Sequence, residues 1–130
     1  MDPLTLYFDR CLGKKVPEAL SKLTCPFQVR WHQGEKFDQK MDDDEWLHIV
    51  GAKGWVVISH DAKWHMEYAA IEAIKQHGIK CFYLYGANSP MFFKLKSLTH
   101  NWGKIIHKIK TEKGPFIYRV SCHNRLSRIL

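Results

Sequence analysis

Trp55-Val56-Val57-Ile58-Ser59-His60-Asp61 opens with an apolar run and closes on a histidine and an acid. A run with no alternation belongs to a strand buried on both faces, as in a parallel sheet covered by helices. Upstream, Asp42-Asp43-Asp44-Glu45 precedes Trp46, Leu47, Ile49 and Val50, an acidic first turn before a helical pattern that stops near Gly51 and Gly54. Downstream, Tyr68, Ala69, Ile71 and Ile74 mark a helix over 67–77 with Gly78 as its C-terminal cap, and a strand follows over 80–85. Further out, the chain reads as a strand over 4–8, a short helix opened by Pro17 with Ala19, Leu20 and Leu23 on its apolar face, a strand over 27–31 and a loop over 33–41. Beyond the middle come one long helix over 91–113, a strand over 116–120 and a basic tail over 124–130. Strands alternating with helices predict a three-layer α/β/α fold with a mainly parallel sheet.

One hundred and thirty residues, 45% hydrophobic and 25% charged, predict a single domain over 1–130. Two cores would each approach the ~50–65 residues at which burial barely offsets chain entropy. The composition excludes disordered, collagenous and disulfide-miniprotein classes. No apolar run approaches the ~20 residues of a membrane span, and Met1-Asp2-Pro3 lacks a secretory start, so the expectation is a cytoplasmic protein without a membrane partner. Cys11, Cys25, Cys81 and Cys122 form no CxxC pair and read as reduced thiols. The net charge of +7 is unevenly spread: residues 1–72 hold 12 acids against 9 bases, whereas residues 73–130 hold 1 acid, Glu112, against 11 bases. Such a chain can hold a cation at one end and a polyanion at the other.

In open α/β sheets ligands bind beyond the carboxyl ends of the strands, and Asp9 and Asp61 both follow strands there. The 42–44 cluster can reach the same rim. Converging carboxylates stay ionised only beside a cation, and hard oxygen ligands suit Mg²⁺ or Mn²⁺. Each acid also has a plainer use, as a turn or helix cap. On the 91–113 helix, Lys96, His100, Lys104 and Lys108 recur every four residues opposite the apolar face, a stripe suited to phosphates or simply to solvent. Arg10 and Lys63, beside the acids, join Lys96, Lys104 and Lys108 as candidates for nucleic-acid contact.

Phe8-Asp9, Val16-Pro17-Glu18-Ala19-Leu20, Asp43-Asp44-Glu45-Trp46-Leu47 and Gly54-Trp55-Val56-Val57-Ile58-Ser59-His60-Asp61 together resemble the small PIN-like nuclease family, which includes VapC-type toxins. The resemblance runs through about residues 4–86. It rests on an early Asp after the first strand, an Asp opening a later helix and a Ser-x-Asp after a hydrophobic strand. It implies a magnesium- or manganese-dependent endoribonuclease whose carboxylates hold the metal while a bound water attacks the phosphodiester. By motif, Asp9, Asp43 and Asp61 are the core, with Asp44 competing with Asp43 and Glu18 a candidate fourth acid. The partners implied are an RNA substrate and an antitoxin protein, with a second copy of the chain as a further candidate.

Two readings stand beside this one: a catalytically silent module that keeps the fold to bind nucleic acid or an antitoxin, and a DNA-directed nuclease, since phosphate contacts do not tell RNA from DNA. His60-Asp61 lacks the helical histidines of the metal phosphohydrolases. Cys11 lacks an ordered base to act as a nucleophile. Trp46, Trp55 and Trp102 read as core, whereas Trp31 and Trp64 remain open for base stacking.

Overall fold

The computed structural model describes residues 4–60, 67–84, 90–121 and 125–130. β1 (Thr5–Phe8) leads through a 3-10 turn (Arg10–Leu12) into α1 (Lys15–Ser21), β2 (Gln28–Trp31), α2 (Asp43–Ala52), β3 (Val56–Ser59), α3 (Tyr68–His77) and β4 (Lys80–Leu84). Then follow α4 (Met91–His100), α5 (Trp102–Thr111), β5 (Phe116–Val120) and β6 (Leu126–Arg128). The sheet order is β2-β1-β3-β4-β5-β6, parallel throughout except for β6, which pairs antiparallel with β5. The expected α/β class and mainly parallel sheet are both present. No helix among the described residues is long and apolar enough to cross a membrane.

Successive strand residues face opposite sides, so the sheet carries two cores. Leu6, Phe8, Ile58, Phe82 and Phe116 face α1, α4 and α5, which supply Leu20, Leu98 and Ile105. Tyr7, Val57, Cys81, Tyr83 and Ile117 face α2 and α3, which supply Trp46, Leu47, Val50, Ala70, Ala73 and Ile74. Tyr7 stacks on Trp46 with ring centroids 5.2 Å apart, a geometry worth ~0.5–1.5 kcal/mol beyond burial. α2 includes Gly51, where a side chain would meet the His77 Cβ at 2.7 Å, so the glycine lets α2 and α3 close on that point, and His48 Nδ1 lies 3.0 Å from His77 Nε2. Gly78 caps α3 with φ of +61°, as expected.

Several expectations are corrected. The long helix over 91–113 is two helices that break at Asn101, so Lys96 and His100 lie on α4 while Lys104 and Lys108 lie on α5. They are not one stripe on one rod. Asn101 is buried and its side-chain amide donates to the Ser97 carbonyl at 2.8 Å and the Ser121 carbonyl at 3.1 Å, which turns the chain there. The tail is not simply a basic extension, since residues 126–128 form the edge strand β6. Leu23 is 63% exposed because α1 ends at Ser21, two residues before it. Tyr68 is 79% exposed, because Ala70, Ala73 and Ile74 form the buried stripe of α3.

Candidate active site

β1 and β3 are neighbours whose onward connections diverge, β1 leading to β2 on one side and β3 to β4 on the other, and the crevice of an open α/β sheet lies at such a reversal. The first residue past β1 is Asp9, whose backbone N–H still donates to the Ile58 carbonyl of β3 at 3.0 Å. Its side chain is therefore fixed at the reversal point, and the residue is 2% exposed. From the end of β3 the Ser59 hydroxyl donates to Asp9 Oδ2 at 3.0 Å, and the Cys11 thiol reaches the same oxygen at 3.4 Å. Asp9 Oδ1 is buried with no hydrogen-bond partner among the described residues. Burial pushes the Asp9 carboxyl up to about 6 against the lowering hydrogen bonds of Ser59 and Cys11, and the charge of Asp43 adds to the rise. Burial likewise pushes the Cys11 thiol up to about 12, so it stays protonated and is a donor, not a nucleophile.

Asp43 opens α2, where a negative charge favours the helix dipole. Its Oδ1 accepts from Arg10 Nη2 at 3.1 Å and from Trp46 Nε1 at 3.0 Å. Arg10 also donates from Nη1 to the Gln39 carbonyl at 3.0 Å and to the Met41 carbonyl. This one guanidinium ties the turn after Asp9 to the loop before α2 and so sets Asp43 beside Asp9. That loop has a second anchor in His32, which is buried. A carbonyl can only accept, so His32 Nε2–H donates to the Asp38 carbonyl at 2.9 Å and Nδ1 accepts from the Tyr7 hydroxyl at 2.9 Å. Burial pushes the His32 ring below its ordinary value and keeps it neutral in this role.

The other expected residues are less closely gathered. Asp44 and Glu18 are half-exposed, and neither side chain has a hydrogen bond or ion pair among the described residues. Asp61 and Lys63 lie outside the described residues. Among the described residues no three His, Cys, Asp or Glu side chains come together as a metal cage. Arg10 is held in the ion pair just described. Lys96 and Lys104 are exposed, while Lys108 pairs with Glu112 at 3.1 Å and lies 5.0 Å from the Tyr118 ring centroid. Sequence reasoning missed Lys94, which is 5% exposed on α4, packs near Phe8, Leu12 and Leu84, and is pushed by burial below the ordinary lysine range. Its spacing from Met91, Leu95 and Leu98 was the available signal.

A buried, partly unpartnered carboxylate at a sheet's reversal point, with a second carboxylate oriented beside it, suits a hard cation and the anion it would neutralise. A family model described as a PIN-like domain matches residues 4–86, from the residue before β1 to just beyond β4. No curated protein and no solved structure matches the chain.

Proposed function

The chain belongs to the PIN-like domain family, whose fold is of the nuclease type, and on that premise we propose that it is a divalent-metal-dependent endoribonuclease. The observation that carries the reading is the Asp9 carboxylate, almost fully buried with Oδ1 lacking a partner. An orphaned carboxylate oxygen fits Mg²⁺ or Mn²⁺, and Asp9 with Asp43 and Asp61 would hold it. When bound, such a cation neutralises phosphate charge and lowers the pKa of water. The chain's own residues prepare that site. Ser59 fixes the Asp9 carboxylate, while Arg10 and Trp46 occupy Asp43 Oδ1 and leave Oδ2 without a partner among the described residues. Asp9 releases its proton as the pH rises through about 6, so it is a carboxylate at neutrality.

The resemblance to the small toxin branch extends the proposal to a toxin of a toxin–antitoxin pair, whose neighbouring gene would encode an inhibitor that co-purifies with this chain. Calorimetric titration with Mn²⁺ and cleavage of a labelled single-stranded RNA test the activity. Asp9→Asn should weaken Mn²⁺ binding by at least about tenfold and abolish cleavage. Unchanged Mn²⁺ affinity in that variant sinks the metal assignment. Equal cleavage of a DNA strand would move the reading to a DNA-directed nuclease.

A further inference from the structure

A cleft of about 550 Å³ lies between α5 and the start of β6, lined by Gly103, Lys104, His107, Lys108, Arg125 and Leu126. No acid lines it. Leu126 pairs with Val120, the last residue of β5, and the lining comes from the first two turns of α5. The cleft therefore opens at the same carboxyl rim as Asp9, but three strands away. At ~4.8 Å per strand, that is about 14 Å along the rim. Two devices fix its shape. Asn101 ties the start of α5 to the Ser121 carbonyl just after β5, at 3.1 Å. Glu112 holds Lys108 at 3.1 Å and accepts from the Tyr118 hydroxyl at 2.6 Å, and Arg128 lies 5.9 Å from the same ring. The cleft lies beyond residue 86, outside the stretch matched by the family model.

We propose that this cleft binds the sugar–phosphate backbone of the RNA strand to one side of the cleaved bond, an inference that rests on the ribonuclease reading. The chemistry is that of phosphate recognition: the ammonium groups of Lys104 and Lys108 on α5 face the guanidinium of Arg125 just before β6, in the half of the chain that holds 11 basic residues against 1 acid. The offset from Asp9 makes it a grip on the distal strand and not part of the reacting centre.

The full chain in EDTA is titrated into a labelled single-stranded RNA of about 12 nucleotides, long enough to span the rim, and binding is read by fluorescence anisotropy over a salt series. Lys104→Gln with Arg125→Gln should lower the log–log salt slope by about 1.4, or ~0.7 per phosphate contact, and weaken binding roughly 20-fold near 0.1 M salt. Lys104→Arg with Arg125→Lys should keep the parent slope. An unchanged slope in the glutamine pair overturns the proposal, as does an equal loss in the charge-conserving pair. So does a glutamine pair that keeps RNA binding but loses affinity for a poly-glutamate peptide, which would identify an acidic protein partner instead. With Mn²⁺, a dinucleotide too short to reach the cleft should be cleaved equally by parent and glutamine pair, and slower cleavage by the pair would place these residues at the reacting bond. Failure of the ribonuclease reading looks different: the parent then leaves both substrates intact, whatever the salt slopes.

Discussion

Asp9 shows how one residue can store instability for later use. Its folded-state value of about 6 lies above the ordinary 3.8 of an aspartate. Between those values the folded chain binds the proton more tightly than the unfolded chain, so the contribution of Asp9 to stability is present at low pH and is lost as pH rises from about 4 to 6, by at most ~3 kcal/mol. Asp9→Asn removes the charge while keeping an oxygen for Ser59. In EDTA the variant should melt above the parent at neutral pH and show a flatter stability profile across that window. A variant that melts lower at both ends would make Asp9 a structural cap. Much of this site was legible in the sequence: Asp9 and Ser59 stand at the ends of apolar runs, and Trp46 three residues after Asp43 marks which acid the indole can reach. The role of Arg10 was hidden, and the burial of Lys94 was signalled only by its spacing from Met91, Leu95 and Leu98. Arg10 is committed mainly to backbone carbonyls, which carry no sequence signal, and a lysine within a basic helix otherwise reads as solvated whether or not it is buried.

At the scale of elements, the central strands were legible because a strand covered on both faces is a continuous apolar run, as in Val56–Ser59 and Cys81–Leu84. The break between α4 and α5 was not. Leu95, Leu98, Trp102, Ile105 and Ile109 keep helical spacing across Asn101, and one partner that turns the chain, Ser121, is 20 residues away. β6 escaped notice because three half-exposed or exposed residues at a sheet edge have no apolar period to detect. Asn101→Ala removes the donor from two carbonyls, of which Ser97 retains the Asn101 backbone N–H at 3.2 Å. It should destabilise the fold by about 2 kcal/mol and lower Tm by roughly 8 °C, as read by thermal circular dichroism. An unchanged Tm would mean that the amide clamp does not hold the junction.

For the whole molecule, the two faces of the sheet draw on different parts of the chain. Every fully buried residue of the α2/α3 core except Ile117 precedes residue 86, whereas the opposite core needs Leu98, Ile105, Phe116, Tyr118 and Val120. Contacts closer in sequence form at lower loop entropy, so pulse-labelled hydrogen exchange during refolding should protect amides of α2, α3, β3 and β4 before those of α4 and α5. Protection in the reverse order would remove the idea. β3 crosses back to the open edge of β1, and from there β4, β5 and β6 each join the open edge next to the preceding strand. A chain emerging from a ribosome can therefore lay its sheet outward in the order of synthesis. The acid-bearing reversal point is then in place, with one side of the sheet covered by α1 alone, before the cleft residues that would hold a nucleic acid have been translated.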